Sequence, residues 1–325
     1  MKRVLLLPGL LVCAIVASLL LGQASLGLAT LWHGAITGEG PGALMLTVIR
    51  GPRIATAIGA GAVLGLSGAL FQTLFRNPLA APDIMGFTAG AGLAVILTIA
   101  LGLSLPMPLV ACGGGLIAAT LVAALSFRRH HSTAPLTLIL VGLGIGFFCA
   151  ALSTFLLTLL PFSEAAEAQR WLTGSLAARN WTHVAQVWLI GGTLSLLTFC
   201  MLRSLSALEL GDVLAGGLGI DVSTARWTLS GLGVLLAAAG VAVAGPVPFV
   251  ALMAGPLGQR LTGAKGLAGR LASGAGAGAL VLLVADLAAR AALPGIELPA
   301  GVMTGVLGAP YLLWRLSREM KEGSL

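Results

Sequence analysis

Few side chains in this sequence could do chemistry, and their spacing decides which kind. His33, His130, His131 and His183 fall in segments expected to be loops, without a His-Glu-x-x-His pattern or any Cys/His metal-ligand spacing. Cys13, Cys112, Cys149 and Cys200 all lie inside apolar stretches, the setting of small buried hydrophobes rather than of disulfides or metal ligands. The sequence has no Gly-x-Ser-x-Gly elbow. Gly258–Lys265, GQRLTGAK, approaches a phosphate loop but lacks the Gly-Lys-Ser/Thr ending that places a lysine and a metal-binding hydroxyl. The chain is therefore expected to be no enzyme, to hold no cofactor and no metal, and to neither bind nor hydrolyse ATP.

What remains is charge in unusual places. Asp286 and Arg290 stand four apart inside an apolar segment, as a self-neutralised helical pair. A single pair is not a chain of carboxylates, which counts against a proton relay. Arg50 and Arg53, in IRGPR, directly precede another apolar segment. With Arg290 they could receive an acidic partner through charge-assisted pairs, or anchor helix ends at lipid headgroups. Arg203–Arg226 is too polar to span a membrane, and its Glu209, Asp212 and Asp221 alternate with Leu and Val. Short surface helices broken at Gly216–Gly217 and Gly219 fit it. It is a docking surface for a soluble partner or a passive connector.

The elements that must position these groups follow from composition. The 325 residues are 58% hydrophobic and only 9% charged, against about a quarter charged in a soluble domain, and mean hydropathy is +1.02. So few charges cannot cover a water-soluble globule of this size, and disorder or a disulfide-stapled secreted domain is excluded. The net charge of +7 is dispersed, which argues for inner-leaflet contact rather than nucleic acid. Apolar runs place spans at 4–22, 54–75, 84–103, 107–127, 136–160, 184–202, 227–244, 247–257, 271–293 and 300–314. The eighth is short. The first could pass for a signal peptide, but its run exceeds the usual apolar core of about 7–15 residues and is taken as a span. Placing both termini in the cytoplasm collects most Lys and Arg inside, leaving Arg50, Arg53, Arg170, Arg179 and Arg290 outside. Glycine pairs four apart, at 61/65, 86/90, 142/146 and 274/278, are expected to let helices pack closely. The expected fold is an all-α integral membrane bundle of about ten helices, one domain over 1–325.

Arg50–Gly90, RGPRIATAIGAGAVLGLSGALFQTLFRNPLAAPDIMGFTAG, resembles the signature of the FecCD-type permeases, the membrane subunits of type II ABC importers for iron–siderophore complexes, haem and vitamin B12. Three further blocks agree: LELGDVLAGGLGIDV (208–222), AGPVPFVALMA (244–254) and LVADLAARAALPGIELPAGVMTGVLGAPYLLW (283–314). The wording is most similar to subunits handling ferric catecholates such as enterobactin. The resemblance implies a bacterial inner-membrane permease that moves a ferric siderophore from periplasm to cytoplasm by alternating access. Its implied partners are a second permease subunit, identical or different, two cytoplasmic ATPases carrying ATP and Mg, and a periplasmic binding protein. By position, Arg50, Arg53 and Arg290 match arginines that pair with acids of the binding protein. Glu209, Gly211, Asp212, Leu218 and Gly219 match the ATPase-coupling helices. Asn77 and Leu79 match a cytoplasmic gate, and Thr133 a second one.

Within the resemblance the alternative is a haem or corrinoid cargo, since the binding protein does most of the selecting. Outside it, the alternative is a secondary transporter without an ATPase. One departure stands out. After AGPVPFVALMA the family continues Pro-His-x-x-Arg, whereas this chain has Gly255-Pro256-Leu257-Gly258-Gln259-Arg260. Gly and Pro there are expected to bend or shorten the helix end and to alter any ATPase contact made by that segment.

Overall fold

The structure is a computed structural model that describes residues 3–22, 27–126, 135–293 and 295–321. It is all-helical: among the described residues there is no strand, only an isolated bridge between Leu293 and Ile296. The helices are α1 (Leu6–Leu20), α2 (Leu28–Thr37), α3 (Gly40–Leu44), α4 (Arg50–Leu74), α5 (Phe87–Ala100), α6 (Met107–Ser126), α7 (Pro135–Leu159), α8 (Phe162–Leu172), α9 (Trp181–Cys200), α10 (Leu202–Glu209), α11 (Asp212–Gly217), α12 (Val222–Ala244), α13 (Val250–Thr262), α14 (Leu267–Ala291) and α15 (Ala300–Lys321). A π-helical turn, Met45–Ile49, joins α3 to α4, and a 3-10 turn, Pro82–Met85, precedes α5.

Each of the ten apolar runs falls on a helix, but the helices are unequal. Among the described residues six stretches are long and apolar enough to cross a membrane: Gly40–Leu74, Met107–Ser126, Thr137–Leu159, Trp181–Cys200, Val222–Ala244 and Leu267–Ala291. Helices α1 and α5 are apolar but shorter. Helix α13 has 13 residues, about 20 Å against a hydrocarbon core of about 30 Å.

Helix α4 is the hub. It packs against α14, α12, α13 and α9, and the stretch that contains it, Gly40–Leu74, has 83% of its apolar window buried, against 33% for α6, 22% for Thr137–Leu159 and 17% for α9. Apolar character alone cannot produce this, because lipid is as apolar as leucine; close approach of small residues does. Two of the glycine pairs meet each other. A Cβ on Gly61 would stand 2.4 Å from the Gly278 carbonyl oxygen, and one on Gly65 would stand 2.3 Å from that of Gly274. Gly90 and Gly114 make the same approach between α5 and α6. The outlying helices leave Leu109, Phe147, Phe148 and Leu189 facing outward. The cysteines correct an expectation: Cys13 and Cys200 are exposed on the chain surface, Cys149 is buried, and all four are free thiols. An apolar run in a lipid-facing helix has an outer side as well as an inner one.

Candidate functional site

Three groups of residues carry the polar features. The first lies where α4 begins and α14 ends. Arg50 and Arg53 sit one turn apart at the start of α4, just after the π-helical turn, whose wider backbone re-aims the residues that follow it. Both arginines and Arg290 are buried, at 4%, 8% and 5% exposure, around a fully buried Asp286. Arg53 Nε donates to both Asp286 oxygens at 3.0 and 3.1 Å, and its Nη2 lies 3.0 Å from Oδ1. Arg290 Nε donates to Oδ2 at 3.1 Å, and its Nη2 donates to Ser18 Oγ of α1 at 2.6 Å. Arg50 Nη1 donates to the Leu19 carbonyl at the end of α1. Glu297, on the turn before α15, reaches Arg53 Nη1 at 3.4 Å. The helical pair expected of Asp286 and Arg290 is present, but Asp286 serves Arg53 as well.

Next to this cluster Arg179 donates from Nη2 to the Ser175 carbonyl at 3.2 Å, while its Nε is buried without a hydrogen-bond partner. Burial, and then the charge of Arg53, pull its pKa below the usual arginine value. His183 beside it closes a capping box with Asn180 at the start of α9, a structural role. Arg170, Arg179, Glu167 and Trp171 line a cavity of about 240 Å³ on the same side.

The second group is the polar connection, which folds as α10 and α11. Gly211 between them has φ +102°, and Gly219 after α11 has φ +79°, both conformations that favour glycine. Glu209 pairs with Arg270 at the start of α14, and Asp212 pairs with Arg226 of α12 at 2.6 Å. These two expected site residues are thus turned inward, as struts that fix the pair of helices on the bundle. What they present outward is apolar: Leu210, Leu214 and Leu218 are well exposed, and Val213 is 88% exposed. The sequence reading named Leu218 and missed the other three, although apolar residues interrupting an otherwise polar loop were the available signal.

The third group follows α4. Helix α4 ends where Arg76 takes φ +49° and the Arg76 and Asn77 N–H groups return to the Thr73 and Gln72 carbonyls. Asn77 Oδ1 then accepts the Leu79 N–H at 2.8 Å, an Asx turn just beyond the helix. Asn77 and Leu79 are neighbours in sequence but face different spaces. Leu79 lines a cavity of about 300 Å³ with Asp83, Thr88, Val241 and Phe249, whereas Asn77 lines one of about 250 Å³ with Arg76, Glu209, Arg270 and Arg315. Asp83 accepts a hydrogen bond from Thr88 Oγ1. Phe249, at the start of α13, has φ +67°, a strained position for a non-glycine residue. Thr133 lies outside the described residues, as do His130 and His131.

The Gly255–Pro256 departure does not end its helix: α13 runs through Pro256 to Thr262. Proline has no N–H for the Leu252 carbonyl one turn back. Gln72 of α4 replaces it, donating from Nε2 to that oxygen at 2.9 Å. Gly255 gives the amide its room, since a Cβ there would lie 2.1 Å from Gln72 Oε1.

A glycine-interlocked helical bundle with apolar spans, an ionic cluster at one end and a docked helical connection at the other is a multi-pass membrane architecture. Residues 10–318 match the FecCD transport family, and the chain belongs to it. It is 38% identical to the Fe(3+)-citrate import system permease protein YfmE of Bacillus subtilis, covering 84% of this chain and 82% of that one. It is 36% identical to the ferric enterobactin transport system permease protein FepG of Escherichia coli, covering 89% and 87%. Other relatives are named as permeases for vitamin B12 and hemin. The solved structure of a metal-chelate type ABC transporter in an inward-facing conformation superposes with a TM-score of 0.81 at 30% identity, covering 97% of this chain and 98% of that one.

Proposed function

We propose that this chain is the inner-membrane permease subunit of an ATP-driven importer for a ferric siderophore. The observation that carries the reading is the α10–α11 pair: a rigidly strutted element with four exposed apolar side chains, the form a soluble motor needs to push against. One of two cytoplasmic ATPase subunits, which supply ATP and Mg, docks there, and a second permease subunit, identical or different, covers outward apolar faces of the bundle and couples to the other. Helices α1, α5, α13 and α15 complete ten crossings with both termini in the cytoplasm, supported by the distribution of Lys and Arg. Arg50, Arg53 and Arg290 receive acidic side chains of a periplasmic binding protein. In support, four guanidinium groups, with Arg179, gather around two carboxylates and leave an excess of positive charge. Asn77 and Leu79 act at the cytoplasmic gate together with Thr133, and cargo passes along the interface between subunits through weak contacts, since tight binding would prevent release.

Iron cargo is favoured by the citrate and enterobactin permeases among the relatives, and a catecholate is the finer form of the proposal. The test is co-purification of the tagged chain with the ATPase of its import system, comparing wild type with Gly211→Arg plus Asp212→Arg. Recovery with wild type and loss with the variant is expected. A wild type that purifies without an ATPase in several mild detergents, yet still catalyses uptake in vesicles, would overturn the reading in favour of a secondary transporter.

A further inference from the structure

The Arg53 guanidinium has two usable edges, and they face different worlds. The Nε–Nη2 edge is buried in the Asp286 carboxylate at 3.0 to 3.1 Å. The remaining Nη1 faces Glu297 Oε2 at 3.4 Å, and the Glu297 side chain is 46% exposed. Charge-assisted hydrogen bonds of this kind close to about 2.7–2.9 Å when the partners are well seated. The outer pair is therefore loose where the inner pair is tight. The backbone under Glu297 is nevertheless held: Leu298 N–H bonds the Ala289 carbonyl at 3.2 Å, Leu293 and Ile296 form a bridge, and Gly295 supplies the turn with φ +78°. On the same turn Leu293 and Ile296 are exposed, an apolar rim beside the charge.

We propose that Glu297 is an intrachain placeholder: it occupies the Arg53 edge that a carboxylate of the soluble binding protein takes on docking, and it leaves when that carboxylate arrives. This rests on the docking role proposed above for Arg50, Arg53 and Arg290. A second carboxylate arriving at Nη1 would be repelled by the Glu297 carboxylate already there, so docking exchanges one ion pair for another. A half-exposed glutamate can swing into water at small cost, and Leu293 and Ile296 are placed to exclude water around the new pair. The exchange has a functional sense. A binding protein held by an unopposed arginine cluster would dissociate slowly, whereas a competing acid already tethered at the site hastens release after each delivery.

The experiment measures binding of the system's own periplasmic binding protein to the full importer in lipid nanodiscs without nucleotide. Wild type is compared with Glu297→Gln and with Arg50→Gln plus Arg53→Gln, at low and high salt, and melting temperatures are recorded. Glu297→Gln should melt like wild type and bind roughly 3- to 10-fold more tightly, with the gain shrinking at high salt. The double arginine variant should bind more weakly. If the arginine variant weakens binding while Glu297→Gln binds no more tightly than wild type, the placeholder is wrong and the docking role stands. If Glu297→Gln lowers both melting temperature and affinity, Glu297 merely stabilises its turn, and the placeholder is again wrong. If the arginine variant binds like wild type, the docking reading itself falls.

Discussion

Replacing Asp286 with alanine should be among the most damaging single changes in the chain. Asp286 is fully buried and is the acceptor for Arg53 Nε and Nη2 and for Arg290 Nε. Deleting it strands two buried guanidinium groups near a third, Arg50. Breaking a buried ion pair by removing one partner costs about 3–5 kcal/mol, and the partners that remain, Glu297 at 3.4 Å from Arg53 and the neutral Ser18 hydroxyl on Arg290, replace the buried carboxylate only in part. That is roughly two to nearly four orders of magnitude in the folded-to-unfolded ratio. Asp286→Asn keeps one acceptor oxygen but no charge and should fall between wild type and alanine. Asp286→Ala plus Arg290→Met should lose less than the sum of the single changes, because one of the stranded charges goes too. By contrast Glu297→Gln, at an exposed pair, should change stability by less than about 1 kcal/mol. The assay is equilibrium unfolding of the detergent-solubilised protein by SDS titration. An Asp286→Ala variant no less stable than Glu297→Gln would refute the reasoning, since Glu297, Ser18 and water would then suffice for the arginines without the buried carboxylate.

Three further outcomes are expected. Gln72→Ala should cost about 1–3 kcal/mol by leaving the Leu252 carbonyl unpaired, and the loss should shrink in a Pro256→Ala background that restores the helical N–H; equal losses in both backgrounds, in the same unfolding assay, would break the link between Gln72 and Pro256. Gly65→Leu or Gly278→Val should destabilise by more than about 1–3 kcal/mol, the usual range for overpacking, because the new Cβ would meet backbone at 2.3 or 2.2 Å rather than a movable side chain; thermal melting in detergent reads this directly. Phe249→Gly should be better tolerated than Phe249→Ala, reversing the ordinary order by about 1 kcal/mol, because φ +67° strains every L-residue; an alanine variant as stable as the glycine one counts against strain at that position.

The spans were legible because apolar runs and breaks such as RNPLAAPD state helix limits in one dimension. Helices α2 and α3 were not foreseen, since Gly38, Gly40, Pro41 and Gly42 interrupt the pattern there. Helix α8, FSEAAEAQRWL, was passed over as a connection because it is amphipathic and too short to span. The spacing of Asp286 and Arg290 gave away their pair. That Arg53 joins it depends on α4 and α14 crossing at glycines, and periodicity shows which glycines are small but not which ones meet. Glu209 and Asp212 were legible as charges in a connection too polar to span; their use as internal struts depends on Arg270 and Arg226, which no local pattern ties to them. Pro256 reads in isolation as a helix stop, and only Gln72, nearly two hundred residues earlier, explains why the helix continues.

The crossing of α4 and α14 limits what this protein can do as a machine. Backbone meets backbone at Gly61–Gly278 and Gly65–Gly274 with no side chain between to act as a bearing. A slide of one residue along either helix would drive a neighbouring methyl into a carbonyl, so the two work as a keyed shaft. The salt bridge of Arg53 on α4 to Asp286 on α14 locks one end of that shaft. In the alternating-access cycle proposed above, the moving parts are then expected among the less buried helices around it, α6, α7 and α9, swinging on a spindle that does not turn.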